Sequence, residues 1–315
     1  MKLHTLVTQY VTYRKSLGAK FRRNEYSLKA FVRAVGQNKN ISDVYPKQVN
    51  TYLAGNGPIT TNWHEKHQAL NGFYRYVLSR GYSKESPLPT IIPKRPRPLV
   101  PYIYSVKELH ALLDAALTFQ KKINRVEPYT VRMILLLLYG TGLRISEAIK
   151  LTMADVDLLQ ALLIIRETKF YKSRLVPIGT EMTQALSQYA VQRKQKGYSI
   201  NSEEPFFIGR DGKAVYYFNI ETAFKRIRKK AGVSRTDGGR FQPRLHDFRH
   251  TFAVHRLTAW YKDGADVQRL LPMLSVYLGH THLAETSTYL TMTPAILEEA
   301  GRRFQQYVFK EESHD

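Results

Sequence analysis

Apolar residues recur along the first 86 positions at the three- and four-residue intervals of amphipathic helices. Leu3, Leu6, Val7, Tyr10 and Val11 form one such stripe, and Leu28, Phe31, Val32 and Val35 form a second. Leu70, Phe73, Tyr74, Val77 and Leu78 form a third, and a further helix is expected near Tyr45–Leu53. The periodicity stops at Pro87–Pro101, PLPTIIPKRPRPLVP, which holds six of the chain's 14 prolines. Proline fixes φ and lacks an amide hydrogen, so this stretch belongs neither inside a helix nor in a central strand. It reads as an extended, basic inter-domain linker, with a proline-rich partner-binding motif as the rival reading.

Beyond the linker, Ser105-Val-Lys-Glu108 has the spacing of a capping box that opens a helix. The apolar run at 129–139, broken by Gly140-Thr-Gly142, predicts a buried helix, and another is expected over about 144–151. Residues 161–178 are β-branched and apolar on both sides of a polar centre, which predicts a hairpin. Helical spacing returns over about 180–195, 217–231, 245–261, 266–278 and 294–308, the last opened by Thr293-Pro294. The expected fold is therefore mainly α with a small β-hairpin or sheet in the second domain, an α+β class. The boundaries are a helical domain over 1–86, a linker over 87–103 and a larger domain over 104–315.

Charge adds a statement about partners. Forty-eight lysines and arginines face 26 aspartates and glutamates, a formal +22, with a pI near 10.0. Such a surface attracts polyanions, DNA or RNA above all, although a ribosomal or membrane-surface protein could carry the same surplus. Residues 1–95 hold 16 of the basic and only 4 of the acidic residues, so the helical domain has the higher charge density. Lys20, Arg22, Arg23, Lys29 and Arg33, interleaved with Tyr and Asn, suit a face that contacts nucleic acid; a solvated helix face is the plainer reading.

The chain has no cysteine, which excludes disulfides, thiolate zinc sites and cysteine nucleophiles and fits a reducing compartment. Its N-terminus lacks the apolar core and cleavage site of a signal peptide. The longest apolar run, Met133–Tyr139, is far below the ~20 residues that span a bilayer. A soluble, cytoplasmic, nucleoid-associated protein with no membrane partner is expected.

Cutting and rejoining a phosphodiester without a metal needs a nucleophile, cations around the non-bridging oxygens, and an acid for the leaving oxygen. Three segments suit those tasks. In Gly140-Thr-Gly-Leu-Arg-Ile-Ser-Glu147 a glycine break aims Arg144 from the start of a helix. In Arg244-Leu-His-Asp-Phe-Arg-His-Thr-Phe-Ala253, His246 and Arg249 are expected on one helix face. Leu278-Gly-His280 is followed nine residues later by Tyr289. A zinc site on His246 and His250, with His280 and His282 nearby, is the alternative; the metalloprotease pattern, however, needs glutamate where Asp247 stands.

Together these segments, from about 104 to 292, resemble the tyrosine recombinase (phage integrase) family. The signature is an arginine in TGLR-x-SE, a lysine in a β-hairpin, H-x-x-R, a histidine in LGH and a tyrosine nine residues later. These fall on Arg144, Lys169, His246, Arg249, His280 and Tyr289. Thr168-Lys-Phe-Tyr-Lys-Ser-Arg-Leu-Val-Pro177 offers two lysines. Counting eight back from Pro177 favours Lys169, with Lys172 in a phosphate-contacting position, although the family's tip glycines are replaced by Thr168 and Phe170.

The resemblance implies a helical core-binding domain and an integrase-type catalytic domain that grip opposite faces of duplex DNA. Tyr289 would be the nucleophile of a 3′-phosphotyrosyl intermediate, and Arg144 and Arg249 would clamp the phosphate. Lys169 would be the general acid, with His246 and His280 assisting. No cofactor is implied, neither metal nor ATP. The implied partners are recombination sites on double-stranded DNA and three further copies of the chain, in a homotetramer on two sites; accessory or sister recombinase proteins are left open. The resemblance also makes Glu147 an orienting partner of Arg144, His250 a supporting residue and Asp155 a structural acid. The helix expected after Pro294, with Ile296, Leu297, Ala300, Phe304 and Val308 in a stripe, packs either on its own subunit or on a neighbour. A mobile-element recombinase is the favoured reading. A DNA-binding accessory protein and a type IB topoisomerase are its rivals.

Overall fold

The computed structural model describes residues 1–96, 99–118, 125–166, 173–239, 241–291, 298–302 and 305 of the chain. They fall into two units, Met1–Pro98 and Leu99–Asp315.

In the first unit, helices α1 (Leu3–Ser16), α2 (Arg22–Val35), α3 (Pro46–Ala54) and α4 (Thr61–Ser79) enclose one core. The stripes on α1 and α2 are buried along their whole length. On α4, Val77 is buried while Leu78 is 37% exposed, because one further residue turns about 100° away from the core-facing stripe. Gly72 on α4 lies against Tyr10 of α1; a Cβ there would stand 2.6 Å from the Tyr10 hydroxyl. The start of the proline-rich stretch belongs to this unit, for Leu88 packs on its core.

The second unit opens with α5 (Val106–Thr118), and its capping box forms as expected. Glu108 Oε2 accepts from the Ser105 amide at 2.8 Å, and Ser105 Oγ accepts from the Glu108 amide at 3.2 Å. Helix α6 (Pro128–Thr141) passes through Gly140 and ends where Gly142 turns left-handed at φ +62°. The next helix, α7 (Ile145–Ala148), is a single turn and not the longer element expected over 144–151. Its continuation is diverted by a 3₁₀ turn at Met153–Asp155, where Asp155 Oδ2 accepts from both the amide and hydroxyl of Thr152.

Three short strands follow, β1 (Val156–Asp157), β2 (Leu162–Ile165) and β3 (Arg174–Pro177), antiparallel and in that order across the sheet. The hairpin pairs Leu163 with Val176 and Ile165 with Arg174; the two-residue β1 is an addition to it. The turn bearing Lys169 and Lys172 lies outside the described residues.

Helices α8 (Thr180–Gln195), α9 (Tyr217–Lys230), α10 (Asp247–Lys262) and α11 (Val267–Leu278) complete the larger elements. α10 begins at Asp247, so His246 is its N-cap rather than a residue of its first turn. This helix is apolar on more than one side for a reason. Phe248 joins the core around α5, α6, α8 and α9, while Phe252, Ala253, Val254 and Leu257 join a separate core with α11. A short helix, α12 (Leu283–Ser287), and a 3₁₀ turn at Thr288–Thr291 were not expected from the pattern. Of the helix expected over 294–308, residues 298–302 are helical; Pro294, Ile296, Leu297, Phe304 and Val308 lie outside the described residues. The class is as expected, mainly helical with one small sheet. Among the described residues no helix is long and apolar enough to cross a membrane.

Candidate active site

The turns that end α6 and α11 and the start of α10 meet around one side chain. Arg249 is only 2% exposed, and its guanidinium donates from Nη1 to the Gly142 carbonyl at 2.8 Å and from Nη2 to the Leu278 carbonyl at 2.7 Å. Both carbonyls sit at helix C-termini, where no intrahelical amide is available to them. Burial, then the nearby Arg144 charge, lowers its pKa to about 10, so it remains cationic at neutral pH.

Arg144 follows Gly142 and Leu143 and stands at the N-cap of α7. Its Nη1 donates to Glu147 Oε1 at 2.9 Å, its backbone amide to Glu147 Oε2 at 3.0 Å, and its Nη2 reaches the Gly279 carbonyl at 3.4 Å. The side chain remains 29% exposed. Glu147 also receives a two-pronged bond from Arg174, at 3.2 and 2.8 Å. Burial pushes its carboxyl up, but Arg174 and Arg144 together outweigh that and hold it at about 2. Arg174 carries no expected role from the sequence; its only signal there is a place in the Lys172-Ser-Arg174 segment.

The histidines line the same region. His246 is exposed, its ring edge-to-face with His250 at 4.8 Å between centroids. His250 in turn stands 5.6 Å from the Tyr289 ring, and His280 is stacked on that ring at 6.1 Å. His280 Nδ1 is paired with the buried Thr286 hydroxyl at 2.7 Å, a contact supplied by α12. Desolvation, reinforced by Arg249 and Arg144, lowers His280 to about 3; desolvation and His246 lower His250 to about 4; His246 is lowered too. At neutral pH His250 and His280 are uncharged hydrogen-bonding groups rather than cations.

Tyr289 is 3% exposed and packs in the core between α10 and α11. Burial raises its hydroxyl above the ordinary value, opposed by Arg249 and Arg144. Five of the six residues singled out in the sequence, Arg144, His246, Arg249, His280 and Tyr289, thus converge, with a buried floor of Arg249 and Tyr289 and an open edge of Arg144 and His246. The sixth, Lys169, lies outside the described residues. Asp247 is committed elsewhere: its carboxylate accepts from the Arg244 amide and Nη2, both at 2.8 Å. Among the described residues no group of three or more His, Asp or Glu is arranged to hold a metal ion.

Residues 105–295 match the phage integrase family. A protein of Sinorhizobium fredii described as an integrase/recombinase is 34% identical over 309 residues, covering 95% of this chain and 96% of that protein. The chain belongs to the phage integrase family. The tyrosine recombinase XerC of Chlorobaculum tepidum is 30% identical over 242 residues, 71% of this chain and 67% of that one. The fold agrees. The Tn1549 transposon integrase in complex with transposon right end DNA aligns with a TM-score of 0.68 at 17% identity, covering 97% of this chain and 99% of that chain. A lambda integrase tetramer bound to a Holliday junction aligns with a TM-score of 0.67 at 16% identity, covering 92% and 77%. This integrase-family chain is thus a tyrosine recombinase, an enzyme of site-specific recombination that cleaves and rejoins DNA strands.

Proposed function

We propose that Tyr289 attacks the scissile phosphate, forming a phosphorus–oxygen bond to the tyrosine as the bond to the 5′-oxygen breaks. The product is a 3′-phosphotyrosyl link and a free 5′-hydroxyl. Arg144 and Arg249 hold the non-bridging oxygens, whose charge is largest in the pentacoordinate transition state. Lys169 gives a proton to the departing 5′-oxygen, while His246 and His280 hydrogen-bond the phosphate and assist removal of the tyrosine proton. Attack by a 5′-hydroxyl from a second strand reverses the step and exchanges strands. Phosphoester energy is kept in the covalent intermediate, and the two guanidiniums with the lysine supply the positive charge, so the reaction needs neither ATP nor a metal.

The observation that carries this reading is the seat of Arg249. Hydrogen bonds to the Gly142 and Leu278 carbonyls tie it to the turns that present Arg144 and His280, with Tyr289 against its guanidinium. Residues 1–86 act as the core-binding domain, 87–103 as a linker and 104–315 as the catalytic domain. The working form is a homotetramer on two duplex sites, and the host is a mobile element. The lambda integrase tetramer on a Holliday junction and the transposon integrase on its transposon end support those two points by likeness. The protein works in the cytoplasm, at the nucleoid.

The test uses nicked suicide duplexes from the ends of the encoding element, incubated with protein in EDTA and run on denaturing gels. A covalent protein–DNA band that forms in EDTA and vanishes in Tyr289→Phe is expected. A band that survives Tyr289→Phe overturns the nucleophile. Tight binding with no band on any substrate favours an accessory DNA-binding protein instead.

A further inference from the structure

Arg174 is the first residue of β3, and two separate parts of the site, Glu147 on α7 and the turn that ends α11, close on its guanidinium. Nε donates to the Tyr277 carbonyl at 3.0 Å, at the end of α11. Nη1 and Nη2 donate to the two oxygens of Glu147 at 3.2 and 2.8 Å, behind Arg144. Gly279 lies against its face; a Cβ at that position would come within 2.7 Å of Nη1 and 2.9 Å of Cζ. Both partners of the ion pair are largely buried, Arg174 at 10% and Glu147 at 9% exposure. Only glycine admits this approach, and Gly279 also has a left-handed backbone at φ +71°.

The circuit is closed. Glu147 holds Arg144 from one side, and the Gly279 carbonyl receives Arg144 Nη2 on the other. A carboxylate bound by Arg144 alone would cancel the charge that guanidinium brings to a phosphate. With Arg174 sharing it, two guanidiniums face one carboxylate and a net positive charge remains at the Arg144 edge. The second partner also fixes where Glu147 sits, and so the direction in which Arg144 points.

We infer that Arg174 is a positioning residue for the recombinase reaction: it shares Glu147 with Arg144, leaving Arg144 its charge, and seats the Tyr277–His280 turn beside it. This rests on the proposed role of Arg144 at the scissile phosphate. Arg174 itself touches no reacting atom.

The experiment is single-turnover cleavage of the suicide duplex by the full chain, wild type and Arg174→Gln. It is run on the ordinary phosphodiester and on a methylphosphonate at the scissile position. The methylphosphonate replaces a non-bridging oxygen with methyl and removes the negative charge that Arg144 answers. Duplex binding and thermal midpoint are followed in parallel.

Unchanged duplex binding is expected, with cleavage of the phosphodiester slowed by about 10²-fold, the scale of losing one preorganised transition-state donor. The deficit should shrink at least tenfold on the neutral methylphosphonate, on the same scale. Where Arg174→Gln does not fold, Arg174→Lys serves. It keeps the charge and stem, but one ammonium cannot span Tyr277 and both Glu147 oxygens, so a substrate-dependent deficit is again expected. No deficit on the phosphodiester, or an equal deficit on both substrates, overturns the inference in favour of a merely structural ion pair. A wild type that forms no covalent band overturns the underlying reading and this inference with it, whereas a normal wild-type band beside an unaffected Arg174→Gln overturns this inference alone.

Discussion

The Arg249 guanidinium donates to the carbonyl of Leu278 at 2.7 Å, joining residues 29 apart in sequence at the point where α11 ends. Its other prong takes the Gly142 carbonyl at 2.8 Å, 107 residues away. One side chain therefore closes two helix ends and presents a charge to the same place. Arg249→Lys is expected to leave at least one of those carbonyls unpaired, at a cost of about 1–3 kcal/mol in urea denaturation. Covalent adduct formation should fall by at least about 10²-fold. A variant as stable and as active as wild type would show that the fork is dispensable.

Gly142 is required on two grounds, its φ of +62° and its closeness to Phe252 and Leu278, where a Cβ would meet carbons at 2.5 and 2.8 Å. Gly142→Ala is expected to cost about 2–5 kcal/mol, from left-handed strain together with overpacking. Gly232, at φ +68° with open space around it, provides the comparison. There Gly232→Ala should cost only the strain, about 1–2 kcal/mol. Equal losses at the two positions would mean that the crowding at Gly142 relaxes freely.

The site histidines set a pH dependence with a definite sign. His280 and His250 are lowered from 6.5 to about 3 and about 4, because burial disfavours their charged forms, reinforced by Arg249 and Arg144 at His280 and by His246 at His250. As pH falls below 6.5 the unfolded chain binds protons that the folded chain refuses. Their contribution is complete above about 6.5 and lost progressively towards the folded values. Glu147, lowered from 4.5 to about 2, adds its own loss only below 4.5. Urea titrations should therefore show stability declining between pH 6.5 and 5, with a shallower decline in His280→Asn. An identical slope in that variant would count against the assignment.

The two hairpin lysines can be separated by their leaving group. Lys169→Ala is expected to slow cleavage of an ordinary phosphodiester by about 10²–10⁴-fold, as for loss of a general acid. Activity should return on a 5′-bridging phosphorothiolate, whose thiolate leaves without a proton. Lys172→Ala should weaken binding and gain nothing from the sulfur. The reverse pattern would make Lys172 the acid.

The amphipathic stripes of Leu3–Val11 and Leu28–Val35, the capping box at Ser105–Glu108, the β2–β3 pairing and the glycine stop at Gly142 could all be read along the chain. Each depends on neighbours within a few positions or, for the hairpin, within one short contiguous segment, so periodicity and local chemistry are enough. The site residues were readable for another reason: their order and spacing match a family signature, although no local pattern says what they touch.

Tertiary structure decided what lies between distant segments. The stretch after α7 is taken up by distant backbone, with Leu151 accepting from Phe206 and Met153 and Ala154 donating to Glu204 and Ser202, and α10 shows no clean stripe because it is packed between two cores. α12 matters through Thr286, which holds His280. The two carbonyls taken by Arg249 and the reach of Arg174 to Glu147 rest on partners 27 to 107 residues apart. Such contacts leave no periodic trace, because a hydrogen bond constrains positions in space and not intervals along the chain.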